Sequence, residues 1–366
     1  MIKKILALSF IFICFFISCS GDGDSESSQS SATVWEQKSQ MLENWADNFI
    51  LPNYESLLDN LFSLEESISV FNNNPNQQHL DNVRYGWLEA YKSWQYVEMF
   101  NIGPAEQTFY HLKMNVFPTS VVNIEQLVAS GDYSPLDNSP YNSAQGFPAL
   151  DYLLYGLSEN DSEIISTYTI NVNYRNYLAE IIQRMISNTS YVLDQWSNYR
   201  TNFISSTENT ATSSANKMTN DFIYYYEKGF RANKFGIPVG VFSAGNVFPE
   251  KVEAYYSQNV SRTLALEAMN AIDLFFNGNG SYSLKQFIDN FATDEMSNLS
   301  SEINDQFDLA RTSIEGLDQN FVNQLNTDFL QMGITYDVIQ AGTVLLKTDM
   351  LSVLQIATDY VDADGD

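Results

Sequence analysis

The residues whose types and spacing could do chemistry are two acids in apolar surroundings, two histidines and a few cations near helix ends. Asp151 stands in Gly146-Phe147-Pro148-Ala149-Leu150-Asp151-Tyr152-Leu153-Leu154, with apolar neighbours on both sides. A carboxylate in such a run must find hydrogen-bond donors. It reads either as a ligand-site acid or as an acid of a helix's first turn after Pro148, where the helix dipole favours negative charge. Glu98 lies four residues past Trp94 and seven past Tyr91, so a helix puts it on the same aromatic face; it reads as a pocket acid. His111, in Tyr110-His111-Leu112-Lys113, is the histidine placed to join a site, whereas His79 lies in a polar loop and reads as exposed. Lys347 and Asp349 flank a turn of an apolar C-terminal helix and read as a structural ion pair beside the site. Arg231 and Lys234 are either anion-binding or cap the end of their helix.

These residues limit the chemistry. A catalytic zinc takes three protein ligands, commonly including histidine, and no His-Glu-x-x-His motif is present. A serine triad needs a histidine base, and no flanking motif points to one. No catalytic residue is assigned and no cofactor is required; oxygen coordination of iron or another cation stays open. The closing Asp359-Tyr360-Val361-Asp362-Ala363-Asp364-Gly365-Asp366 departs from a calcium-binding loop, because its glycine comes one residue early and the chain ends before a closing glutamate.

Composition narrows the partners. The 366 residues carry 18 Lys plus Arg against 45 Asp plus Glu, a formal charge of −27. Nucleic acid, whose phosphates need a basic surface, is excluded as a partner, and so is lying flat on anionic lipid. The acidity reads as a solubility feature. With 44% hydrophobic residues, the chain can bury a large core.

The elements that must position these residues read as helical throughout. Leu42, Trp45, Ala46, Phe49 and Ile50 follow helical spacing, Pro52 kinks that element or opens a new turn, and Leu57 to Ile68 continue it. Asn72 to Asn76 is a loop. His79 to Phe100 is a helix with Val83, Trp87, Tyr91 and Trp94 on one face. Residues 103–146 are irregular and rich in Pro, Asn, Ser and Gly, followed by a short helix over 149–155. Tyr174 to Ile204 is one long helix with Tyr177, Ile181, Met185, Val192 and Trp196 inward. The Ser/Thr/Asn-rich stretch 207–215 divides an N-terminal half, 34–206, from a C-terminal half, 207–366. There, helices are expected over 218–230, 252–276, 284–290, 296–317, 321–332 and 335–358, with a Gly/Pro loop at 234–249. Long helices with short joins predict an all-α fold of two helical bundle-like halves with a long irregular insertion.

The first thirty residues carry a separate message. Lys3 and Lys4 precede an apolar stretch, Ile5 to Ile17, too short for a comfortable membrane span. Phe16-Ile17-Ser18-Cys19 resembles a lipobox, which implies a signal peptide over 1–18 and lipid on Cys19. Residues 19–33 are polar and read as a flexible tether. Their early acids resemble the export signal of Bacteroidetes lipoproteins, implying an outer-membrane anchor and the cell surface. Cys14 and Cys19 are the only cysteines, so the mature chain would have no free thiol and no disulfide.

Several stretches, in order, resemble the imelysin family of iron-regulated proteins. They are Trp45 to Tyr54, Trp87 to Phe100 followed by Ile102-Gly103-Pro104, Gly146 to Gly156, Lys234 to Gly240, and Leu346-Lys347-Thr348-Asp349-Met350. The resemblance implies two helical halves, a site between them and a role in iron uptake. The family signature is Gly-x-His-x-x-Glu. Gly146 keeps its glycine, but Pro148 stands at the histidine and Asp151 at the glutamate. Proline can be neither ligand nor base, so the fold transfers better than any metal or peptidase chemistry. The expectation is a lipoprotein that binds an iron chelate, haem, an iron-carrying protein or an uptake-system partner. Its cleft would use Glu98, Gly146, Pro148, Asp151, His111, Lys347 and Asp349. A metallopeptidase-type hydrolase and a structural or adhesive surface protein are the alternatives.

Overall fold

The computed structural model describes residues 31–280 and 282–359, with the side chains of 31–35 left aside. The signal peptide, Cys19, the tether up to residue 30 and the acidic tail from residue 360 lie outside the described residues. The first helix begins at Ser31, within the stretch read as tether. No strand occurs among the described residues, and none of their helices is long and apolar enough to cross a membrane.

In the N-terminal half, α1 (Ser31–Asn44) runs through a π-helical turn, Trp45–Ile50, into α2 (Leu51–Asn73). Pro52 directly follows the π-helical turn, so its missing N–H falls where the wider turn already interrupts the regular ladder of hydrogen bonds. The stripe Leu57, Leu61, Leu64, Ile68 and Phe71 is buried and packs α2 against α3 (Gln77–Gln95) and α9 (Val172–Ser205). The Asn76 side chain accepts the His79 N–H and starts α3. The inward residues expected of α9, Tyr177, Ile181, Met185, Val192 and Trp196, are all buried. Residues 103–146, expected to be irregular, hold three short α-helices, α4 (Pro104–Gln107), α5 (Tyr110–Met114) and α6 (Val121–Ser130), the last started by a Ser120 cap, and two 3₁₀ segments, Ser134–Asp137 and Ser139–Ala144. After α7 (Gly146–Asp151) and a second π-helical turn, Tyr152–Gly156, comes α8 (Asp161–Ile170), which periodicity alone did not reveal.

The C-terminal half opens after the non-helical residues 206–213 with α10 (Ser214–Tyr224), capped by Ser213. Three expectations change here. The helix does not give way to a loop at Lys234 but continues as a twelve-residue π-helix, Tyr225–Gly236, into the single turn α11 (Ile237–Val239). Residues 252–260 are turns rather than helix, so α12 starts at Ser261 and ends at Asn277. After α13 (Leu284–Phe291) and α14 (Leu299–Glu315), α15 (Phe321–Val344) bends at Asp328 rather than at Gly333. A fourth π-helical turn, Leu345–Met350, leads into α16 (Leu351–Leu354). Each half therefore holds two π-helical segments. Such segments are rare and gather at functional sites.

The halves share one core. Phe275 of α12 stacks on Trp45 at 4.9 Å and meets Phe49 and Phe100 of the N-terminal half and Phe222 of α10. Where α7 begins, Gly146 takes φ +76°, and a Cβ there would lie 2.1 Å from the Met114 carbonyl oxygen. The glycine of the 146–151 segment is thus required by positive φ and by close backbone approach together. Gly146→Ala should therefore cost more than about 2 kcal/mol, read as a lower denaturation midpoint in urea. An unchanged midpoint would show that this approach is not tight.

Candidate functional site

The end of α3 and the π-helix Tyr225–Gly236 bring the two halves together around buried charge. Lys234, 2% exposed, donates to Glu253 Oε2 at 2.6 Å and to Gln95 Oε1 at 2.8 Å, and lies 3.6 Å from Glu98 Oε2. Asn115 donates to both acids, at 2.9 Å to Glu98 Oε1 and 3.1 Å to Glu253 Oε1, and accepts from the Tyr91 hydroxyl at 2.7 Å. One ammonium thus serves two carboxylates. Burial raises the Glu98 pKa; Lys234 pulls it down and Glu253 pushes it up. The Trp94 indole and the Tyr225 hydroxyl neighbour Glu98. Neither they nor Glu98 Oε2 makes a hydrogen bond of good geometry.

His111 stands on the other side of Glu98. Its Nε2 lies 2.6 Å from the Glu98 carbonyl oxygen. A carbonyl can only accept, so Nε2 carries the proton and Nδ1 presents a lone pair, which has no partner. Burial lowers the His111 pKa to about 4, so the ring is neutral near pH 7. Glu98, His111 and Asn115 from one half face Asp221, Tyr225, Lys228 and Asn233 from the other across a cleft of about 550 Å³. Burial, the first cause, raises the Asp221 pKa to about 8.

Asp151 and Pro148 lie elsewhere, on a smaller neighbouring cavity of about 210 Å³ with Glu250 and Tyr255. The Asp151 carboxylate, 2% exposed, accepts the backbone N–H of Tyr256 at 2.8 Å and of Ser257 at 2.9 Å. It therefore clamps the 252–260 turn of one half to α7 of the other. Pro148 occupies the first turn of α7, where no helical N–H bond is lost. Tyr91, stacked on Phe147 at 4.4 Å, stands between the two places and feels Glu253, Glu98 and Asp151. The single cleft expected for Glu98 and Asp151 is thus two adjoining cavities.

The remaining expected site residues fall farther out. The acid found against Lys347 is Glu227, at 3.2 Å. Glu227 also faces Lys228 at 3.3 Å and Arg231 at 3.6 Å. Asp349 shares the π-helical turn with Lys347, is half-buried, and is not among the residues lining the cleft. Arg231 and Lys234, which could have been surface caps, are 1% and 2% exposed. Gly146 acts through backbone geometry. Sequence reasoning missed Glu253, Asp221, Asn115 and Tyr225. Glu253 had a signal, a lone acid in Val252-Glu253-Ala254-Tyr255-Tyr256, hidden by reading the stretch as a regular helix. Among the described residues, no three His, Cys, Asp or Glu side chains gather as a metal-binding group.

An all-α protein with paired π-helical segments and a polar cleft between its halves defines a narrow class. A match to Imelysin (Peptidase M75) spans residues 50–343, and the chain belongs to the imelysin family. It is 24% identical over 120 residues to iron-regulated protein A of Synechococcus elongatus, a match that covers 33% of this chain and 32% of that relative's length. An imelysin-like protein from Psychrobacter arcticum shares the fold at TM-score 0.73 and 16% identity, covering 89% of this chain and 98% of that one. So does a Parabacteroides distasonis protein described as an iron-regulated protein A precursor, at TM-score 0.70 and 17% identity, covering 89% and 97%.

Asp151 should make stability depend on pH near neutrality. Burial, outweighing its two backbone N–H bonds, pushes its pKa up to about 7 from 3.8. Between those values the folded protein holds a proton that the unfolded chain releases. This contribution is full at low pH and is lost as pH rises through about 7. Relative to Asp151→Asn, the unfolding free energy of the wild type should rise by roughly 2 kcal/mol from pH 8 to pH 5. Urea unfolding at both pH values measures it, and a constant difference would refute it.

Proposed function

We propose that this imelysin-family protein is a non-catalytic receptor that binds an iron source, or a partner of the uptake system, in the cleft between its halves. The observation that carries the reading is the cleft wall. Glu98, His111, Asp221 and Tyr225 all line it; His111 Nδ1 and Asp221 Oδ2 are buried without hydrogen-bond partners, and Glu98 Oε2 has only a 3.6 Å ion pair to Lys234 beside poorly aligned donors on Trp94 and Tyr225. Buried polar groups left unpaired cost about 1–3 kcal/mol each, so under-satisfied groups gathered on one cleft mark a place where a ligand supplies what the protein does not. The iron in this reading is supported by the family and by the names of its relatives. The departure at Pro148 and the scattered donor set speak against the metallopeptidase alternative.

Titration calorimetry of the purified protein with ferric chelates, haem, ferrous iron, calcium and zinc tests this. One iron source should saturate a single site. Glu98→Gln should weaken it by about tenfold, or 1.4 kcal/mol. Failure of every iron source to bind the folded protein would overturn direct capture.

The receptor reading includes an anchor at the outer membrane through lipid on Cys19, with the protein at the cell surface. The lipobox-like Phe16-Ile17-Ser18-Cys19 and the polar, acidic stretch after it support this. Cys19→Ala should abolish labelling by a radioactive fatty acid and move the protein out of the membrane fraction. Unchanged fractionation would contradict the anchor.

A further inference from the structure

Three cations are buried among the described residues, and two of them meet acids. Lys234 lies 2.6 Å from Glu253 and Arg231 lies 3.6 Å from Glu227. Lys38 of α1 is the exception. It is 6% exposed, yet no described residue gives it a hydrogen bond or an ion pair, and burial alone lowers its pKa. A lysine that only packs its stem keeps its head in water, and a buried ammonium without a partner is costly. In a chain with 45 Asp plus Glu, a buried cation without one calls for a counter-ion from outside.

The surroundings of Lys38 say what that counter-ion carries. Lys38 lines a cavity of about 290 Å³ between α1, the non-helical seam at Thr207 and Asn209, α13 and the end of α16. One wall is apolar: Phe287 and Phe291 of α13 meet at 4.5 Å, and buried Leu354 stands with them. The Asn209 amide donates to the Gln355 carbonyl at 3.0 Å and its oxygen accepts from Asn216, so this side chain joins the seam to the end of α16. The unpartnered Lys38 Nζ is not among the polar atoms sealed from solvent, so a small molecule in the cavity can reach it.

We propose that this cavity binds a small organic monocarboxylate, its carboxylate on the Lys38 ammonium and its apolar body against Phe287, Phe291 and Leu354. An ammonium has three N–H donors and no acceptor, which suits an anion. One lysine offers a single charge, which a carboxylate matches and a phosphate dianion exceeds. The apolar wall gives a bare inorganic anion no donors. The volume lies at the small end of organic-ligand sites, which limits the acid to a short chain or one ring. The cavity shares no lining residue with the cleft of Glu98 and His111, so the proposal stands apart from the receptor reading.

The test is calorimetry on the whole protein with hexanoate, 3-phenylpropionate, hexanamide and inorganic phosphate. At least one of the two carboxylates should saturate a single site. Hexanamide should bind at least tenfold more weakly than hexanoate, and phosphate should not saturate. Lys38→Met should weaken the carboxylate at least tenfold with helical content unchanged; if that variant misfolds, Lys38→Gln decides. Equal binding of hexanoate and hexanamide, or full carboxylate affinity in a folded Lys38 variant, overturns the assignment. Phosphate binding as tight as hexanoate overturns the monocarboxylate class. Binding of neither carboxylate overturns the site.

Discussion

The Lys234 ammonium is the point on which the centre of this protein depends. Removing an ammonium from water costs on the order of several kcal/mol even after relaxation, and that cost is met only where partners are fixed in advance. Here Gln95 comes from the end of α3 and Glu98 from the turn after it, Glu253 from the 252–260 turn, and the lysine itself from the π-helix Tyr225–Gly236. Three segments distant in sequence must stand at hydrogen-bond distance before the charge can be buried. The cation thereby fixes the relation between the halves at the place where the cleft opens.

Asp151 makes the complementary connection. Its carboxylate takes two successive backbone N–H groups of the same turn that carries Glu253, so the turn is held from both sides, by a fork at Tyr256 and Ser257 and by an ion pair at Glu253. Two non-glycine residues of that turn, Ala254 and Gln258, have positive φ. Such conformations persist only where surrounding contacts over-determine them. The acid of the family signature thus has a visible structural task here, while Pro148 shows that the histidine position can be filled by a residue that only shapes the helix start.

Much of the fold could be read from the residues in order. Helical spacing located α2, α3 and α9 and their buried faces, because an amphipathic stripe at intervals of three and four has few other uses. Residues 206–213 are non-helical, in keeping with the Ser, Thr and Asn content of 207–215. The helix expected to run to Phe100 instead ends at Gln95, so Glu98 lies in the turn after it rather than on the helix that its spacing on Tyr91 and Trp94 implied. What failed did so for stated reasons. The π-helical run through Lys234 follows a wider turn, so a pattern sought at 3.6 residues broke off early and took Gly and Pro as a loop. Glu253 was hidden because an acid in an apolar run looks alike whether the backbone is helix or turn. Lys347 meets an acid, Glu227, 120 residues distant, which no spacing along one helix could indicate.

The sequence by itself determined the class: an acidic, all-α chain with apolar stripes long enough for a shared core, a resemblance to imelysins, and a signature too altered to carry the family's histidine. Those properties are local, set by residue type and by spacing along a single helix. Only the tertiary structure decided that Glu98 and Asp151 line two cavities, that one lysine is divided between two acids, and that His111 spends its Nε2 proton on the Glu98 carbonyl and keeps an unpaired Nδ1 lone pair. These depend on which segments meet across the seam, and burial, not residue type, sets their charge states.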